Sequence, residues 1–226
     1  MNTLAVRADA SFGSGHWYEG GGIIRNVRIV KTDLLHLVPR GIAAQAQLAS
    51  PLPLGAVNLT ARVQNARPEP ADVSLCVSLI DDTTGSMVVE SSFTQYVNIP
   101  SGSSRQLQWF SDLNAQVVAT WSIQSPATYT LRVLIVQRDY REMLLVVDAV
   151  NTTIGFREAT FTTSGFFLNS RHTVLRGFSD HNSFAGVGAA VPARINLYKA
   201  QMLRACGGNF WRTPQNPLVC PLFGFH

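Results

Sequence analysis

Lysine is almost missing from this chain of 226 residues. Two lysines stand beside 16 arginines, and charged residues of all kinds make up only 14%. The formal charge is +4 and the pI near 9.3, yet the cations are scattered singly between Arg7 and Arg212. No basic run or stripe forms the footprint that a phosphate backbone requires, so nucleic acid is not an expected partner. Cysteine is also scarce. Cys76, Cys206 and Cys220 lie far apart, with no C-x-x-C and no Cys/His cluster, so neither a disulfide framework nor a metal site is expected. Long apolar runs are lacking. Met143-Leu144-Leu145-Val146-Val147 is far short of the ~18 residues of a membrane-spanning helix, and no membrane association is expected. The first nine residues show no basic region followed by an apolar one, so no signal peptide is expected. The sequons at Asn58 and Asn151 then carry little weight for secretion, and the compartment stays open.

What the chain does have is apolar material. Hydrophobic residues make up 46%, which excludes intrinsic disorder and suffices for a core. From residue 37 to 157 their period is two. Val57, Leu59, Ala61 and Val63 alternate with Asn58, Thr60 and Arg62. Val73, Leu75, Val77 and Leu79 form a second row, and Tyr129, Leu131, Val133 and Ile135 a third. Leu107 and Trp109 alternate with Gln106 and Gln108, and residues 143–150 are nearly continuous apolar strand. Half-buried antiparallel strands read this way. Turn clusters separate them: Arg67-Pro68-Glu69-Pro70, Asp81-Asp82-Thr83-Thr84-Gly85, Pro100-Ser101-Gly102 and Arg138-Asp139. About seven strands so spaced predict an immunoglobulin-like β-sandwich.

The pattern changes after Thr162. Residues 172–178 read as a short strand, followed by a Gly/Ala-rich loop at 185–190. Pro192 then opens a helix with apolar residues at Ile195, Tyr198, Met202 and Ala205, and Gly207 suits the position past its end. Residues 209–213 resume as strand. This is one βαβ unit, which cannot by itself cover both faces of a parallel sheet. The N-terminal end is similarly incomplete: residues 4–9 and 23–30 read as two strands around a glycine-rich loop, and two strands make no domain.

Several chemical motifs fall short. Ala185-Gly186-Val187-Gly188 lacks the spacing and the later acid of a dinucleotide fingerprint, and no cofactor is expected. Asp180, His181 and Ser183 are too close in sequence for a hydrolase triad and lack a nucleophile elbow. Trp17 and Tyr18 offer either a sugar-stacking pair or packing residues. Phe12, Trp109 and Trp121 read as core.

Five segments resemble glycoside hydrolase family 2, which includes β-galactosidases, β-glucuronidases and β-mannosidases. The first is Trp17-Tyr18-Glu19-Gly20-Gly21-Gly22-Ile23-Ile24-Arg25-Asn26-Val27, similar to the end of the family's sugar-binding jelly roll. The second is Trp121-Ser122 with Ser125-Pro126-Ala127-Thr128-Tyr129-Thr130-Leu131, where Ile123 replaces a usual proline. Gly155-Phe156-Arg157 is the third, and Gly165-Phe166-Phe167-Leu168-Asn169 with Leu175-Arg176-Gly177 the fourth. The fifth is Gly208-Asn209-Phe210-Trp211-Arg212-Thr213-Pro214-Gln215-Asn216-Pro217, similar to the family's G-x-N-x-x-R-x-S-H-N-P. They run in the family's order from Val6 to Pro217.

The resemblance implies a mainly β chain in three regions. Residues 1–36 would be the tail of the jelly roll, 37–157 the whole immunoglobulin-like sandwich, and 158–226 the truncated start of a (β/α)8 catalytic barrel. It also implies a β-glycoside as the carbohydrate substrate and retaining hydrolysis, which needs two carboxyl groups about 5 Å apart. The glutamates are Glu19, Glu69, Glu90, Glu142 and Glu158, and the only acid after Gly165 is Asp180. By resemblance the catalytic glutamates belong to later barrel strands, so no catalytic residue is assigned and the chain alone is expected to be inactive.

The barrel's sugar-contacting residues would lie after its first two strands. By resemblance His181 contacts the sugar at the cleavage position and Arg212 braces the site. A loop histidine without a role and an ordinary arginine remain the alternatives. Gln215 stands where the family has a sugar-contacting histidine; it can donate and accept hydrogen bonds but carries no charge. Asn216 serves substrate binding or simply the turn before Pro217.

Two functions are therefore carried forward. One is a β-galactosidase-like hydrolase of O-glycosidic bonds in carbohydrate metabolism, represented by a fragment. The other is a non-catalytic β-sandwich module that binds carbohydrate or a partner. Exposed sheet edges of the partial regions are expected to pack poorly or to self-associate.

Overall fold

The computed structural model describes residues 3–9, 22–49, 54–138, 141–181 and 183–213. Contacts divide these into two units. One is Val30–Thr173; the other joins the described residues up to Ile29 with those from Val174 onward.

The first unit is mainly β, and its sheets are antiparallel. Strands β1 (Leu35–Ala49), β2 (Leu54–Asn65) and β6 (Ser104–Val117) form a sheet in the order β1-β2-β6. Strands β3 (Ala71–Asp81), β4 (Met87–Phe93), β7 (Tyr129–Arg138) and β8 (Leu144–Ile154) form the second, in the order β4-β3-β7-β8. The short β5 (Val97–Ile99) pairs with the start of β3. The period-two rows predicted from the sequence are the inward faces. Val57, Leu59, Ala61 and Val63 of β2 are buried with Leu75, Val77 and Leu79 of β3 and Leu131, Val133 and Ile135 of β7 in one core. A one-residue slip would turn each row to solvent, so burial of one face fixes the register.

Polar groups inside this core have partners, as they must. Buried Asn65 donates from Nδ2 to the carbonyls of Glu69 (2.9 Å) and Ile99 (3.0 Å), and its Oδ1 accepts from the Arg67 amide. Trp109 donates to Ser92 Oγ at 3.0 Å. The Tyr129 ring meets Phe156 edge-on at 5.0 Å, and its hydroxyl accepts the Ala119 amide at 2.8 Å. Burial pushes the Tyr129 phenol up from its ordinary value.

Three further strands follow: β9 (Ala159–Thr162), β10 (Gly165–Leu168) and β11 (Arg171–His172), ordered β11-β10-β9. This small antiparallel sheet belongs to the first unit. Asn169 ties it there, donating to the Trp121 carbonyl at 3.0 Å while accepting the Glu158 amide.

The second unit contains β12 (Gly177–Ser179), α1 (Ala193–Ala205) and β13 (Phe210–Arg212), with β12 and β13 parallel. The predicted strand–helix–strand is present, but β12 is shorter than the 172–178 reading. Gly207, at φ 77°, ends the helix as expected. The helix face differs from the expectation. Of the expected set Ile195 is half-buried but Tyr198, Met202 and Ala205 are exposed, whereas Asn196 is buried and Lys199, Ala200 and Leu203 are half-buried. These inward residues also recur at three and four, one step round from the apolar set. The N-terminal strands are a second correction. Residues 4–9 and 23–30 form no strand and are exposed throughout. Their apolar residues supply strand propensity, but propensity without a pairing neighbour does not make a ladder.

Candidate functional site

The candidate site stands at the C-terminal ends of β12 and β13. Their pairing is close because Gly177 lacks a side chain: a Cβ there would lie 1.6 Å from the Phe210 carbonyl oxygen. Asn209 fixes the approach from below. It accepts the Arg176 amide through Oδ1 (2.8 Å) and donates through Nδ2 to the Val174 carbonyl (2.9 Å). The register sets Ser179 opposite Arg212. Arg212 donates to Ser179 Oγ at 3.2 Å, and the Asp180 amide donates to the Arg212 carbonyl at 3.0 Å. His181, half-buried, follows directly. The structure thus brings two of the sequence-predicted site residues, His181 and Arg212, to the same end of the parallel pair. Gln215 and Asn216, with Trp17 and Tyr18, lie outside the described residues.

A lysine that sequence reasoning passed over organises the loop. Lys199 projects from α1 and donates to both carboxylate oxygens of Asp180, at 3.1 and 2.9 Å. The same ammonium donates to the Ser183 carbonyl at 3.1 Å and the His181 carbonyl at 3.5 Å, and lies 5.6 Å from the Phe184 ring centre. Its side chain is only 16% exposed. A charged donor bonded to several oxygens in a half-buried setting is among the stronger polar contacts available to a loop. The loop then closes on itself through the paired backbones of Phe184 and Gly188. The signal in the sequence was the scarcity of lysine: one of only two sits here.

This arrangement can position a loop and present hydrogen-bonding groups, but it supplies no acid pair. Asp180 is engaged by Lys199 rather than aimed at a serine. Trp211 Nε1 is buried without a hydrogen-bond partner.

No family model matches the chain. A β-galactosidase of Bacteroides ovatus is 28% identical over 96% of this chain, which spans 24% of that protein. A solved β-glycosidase of Bacteroides vulgatus aligns over 89% of this chain and 24% of its own, at 26% identity and a TM-score of 0.70. A solved β-glucuronidase from glycoside hydrolase family 2 aligns over 81% of this chain and 19% of its own, at 24% identity and a TM-score of 0.70. The chain is thus similar over most of its length to glycosidases, shares the fold of a family 2 enzyme, and spans about a fifth to a quarter of the length of the relatives it matches.

Proposed function

We propose that this chain is part of a β-galactosidase-like glycosidase acting on O-glycosidic bonds, and that alone it does not turn over glycosides. The observation that carries the reading is the parallel β12–α1–β13 unit, with His181 and Arg212 at the strand ends where such units gather ligand contacts. Its one acid, Asp180, is neutralised by Lys199. Retaining hydrolysis requires a proton donor and a nucleophilic carboxylate across the scissile bond, and no glutamate follows Glu158. In this reading residues 1–36 are a jelly-roll tail, 37–157 the immunoglobulin-like domain and 158–226 the opening of the catalytic barrel. His181 and Arg212 contact the sugar, joined by Gln215 and Asn216.

The test is turnover of a panel of nitrophenyl β-glycosides by the chain alone and by the chain extended in its reading frame. The expected result is no release of nitrophenol by the first and release by the second. Release by the purified chain alone, abolished by His181→Ala, would overturn the claim of inactivity. An extended frame without an acid pair would remove the enzyme reading.

A further inference from the structure

We infer that the outer face of the β1-β2-β6 sheet is a binding surface for an acidic oligosaccharide, centred on a cleft at the β1 bulge. This surface belongs to the sandwich and is independent of the barrel chemistry proposed above. In β1 the register jumps from Leu37 opposite Val63 to Ile42 opposite Ala61, so four residues, 38–41, face the single residue Arg62. The bulge is built on demanding backbone. Arg40 adopts φ 61°, uncommon for a residue with a side chain. A Cβ on Gly41 would lie 2.7 Å from the Val38 carbonyl oxygen and 3.2 Å from Arg62 Cβ. Bulges re-aim side chains in this way.

The bulge opens a cleft of about 350 Å³ lined by Arg40, Arg62 and Gln106, with no acidic residue among the described residues of its wall. Both arginines are exposed. No carboxylate among the described residues pairs with either guanidinium. Two guanidiniums on one cleft, without a carboxylate partner among the described residues, fit a carboxylate or sulfate, which they bind by charge-assisted and bidentate hydrogen bonds.

What continues from the cleft selects a sugar over a bare anion. Across the β2–β6 pair, Arg62 faces Gln106, Thr60 faces Gln108, and Asn58 faces Phe110. Gln45 of β1 extends the last row and Ala43 the middle one. These side chains point away from the core, because their neighbours Leu59, Ala61, Leu107 and Trp109 are buried. The track from Arg62 to Asn58 spans five residues, roughly 13 Å of strand. Amide side chains along it each offer donors and an acceptor to hydroxyl groups. At its end Phe110, 63% exposed, presents a flat apolar plane against which the C–H face of a sugar ring can pack. Small residues in the middle row, Ala43 and Thr60, leave the track open.

The probes are an oligogalacturonide and a sulfated galactan oligosaccharide of about five rings, titrated into the whole chain by calorimetry. Neutral cellopentaose and inorganic polyphosphate are the controls. Arg40→Gly with Arg62→Gln removes both charges while relaxing the backbone at residue 40, and Phe110→Ala removes an exposed ring. The expected result is binding of one or both acidic sugars that weakens with salt, falls about tenfold or more in the double arginine variant, and falls several-fold in Phe110→Ala with thermal stability unchanged. Failure of both acidic sugars to bind would overturn the inference. So would equal binding by the double variant, or cellopentaose bound as tightly. Polyphosphate bound as tightly, with Phe110→Ala indifferent, would reduce the surface to a plain anion patch and also sink it.

Discussion

The sandwich and the parallel unit are built on opposite principles. In the sandwich, inward rows from both sheets meet each other, and Val57, Leu75, Leu131 and Ile135 have no exposed surface. In the parallel unit, the one fully buried helix residue is a polar one, Asn196. Phe178, Tyr198 and Met202 of the same unit are largely exposed. A two-layer β-sandwich closes its own core, whereas two parallel strands and one helix have only one covered face. The stabilising free energy of the first region therefore comes from apolar burial, and the order of the second rests on specific contacts: the Asn209 bridge, the Gly177 approach and the Lys199 clamp.

The largest expected effect sharpens this contrast. Leu75→Ala and Leu131→Ala delete side chains at the centre of the sandwich, and each is expected to cost about 2–5 kcal/mol. Met202→Ala on α1 is expected to change stability by less than about 0.5 kcal/mol. Urea unfolding followed by circular dichroism measures both. Comparable losses in the two regions would break the comparison. Limited proteolysis gives a second view: the surviving piece should be close to Val30–Thr173, which retains β9–β11 through Asn169.

How much of this was legible in the sequence follows from what sets each feature. The sandwich rows were readable because period two is a local property, and burial of one face enforces it. The end of α1 was readable because Gly207 supplies the left-handed backbone that stops a helix. The N-terminal strands were not, because residues 4–9 carry strand-like composition but find no ladder. The covered face of α1 was misread for a related reason. Lys199 is drawn inward by Asp180, 19 residues earlier, a long-range pairing that apolar spacing cannot anticipate. His181 and Arg212 were legible only through motif likeness; their shared location depends on the parallel register of Ser179 with Arg212. The β1 bulge left a local trace in Pro39-Arg40-Gly41, a proline and a glycine inside an otherwise strand-like run.

A middle-sized effect tests the clamp. Lys199→Met keeps the aliphatic length but leaves Asp180 without its cation and the Ser183 carbonyl without a donor. For a pair of this partial exposure the expected loss is about 1 kcal/mol, confined to the loop. Hydrogen exchange at the amides of Val187, Gly188 and Ala190, which bond within the loop, should accelerate. Amides of β3 and β7 should be unchanged. Lys199→Arg should restore only part of the protection, since a planar fork cannot reproduce contacts to Asp180 and two carbonyls from one point. Uniform acceleration across both regions would show that the clamp stabilises the whole chain.

The smallest effect concerns the entry to β1. Asp33 Oδ1 accepts the Leu35 amide at 3.0 Å and an Arg67 N–H at 2.9 Å. These bonds, the backbone one first, hold its carboxyl below the ordinary 3.8. A carboxylate whose folded pKa is depressed contributes stability above the unfolded value and loses it as pH falls through the folded one. The contribution is therefore fully present at neutral pH and fades below about pH 4. Asp33 is exposed, so solvent screens the charge and the effect is small. Asp33→Asn should flatten the acid limb of the sandwich's unfolding midpoint, measured between pH 5 and 2.5, and lower the midpoint slightly at pH 7. Because Arg67 also donates to Gln137 at 2.9 Å, the turn between β2 and β3 keeps one anchor in the variant. An unchanged acid limb would show that the hydrogen bonds at the strand entry persist, with equal strength, in the unfolded chain.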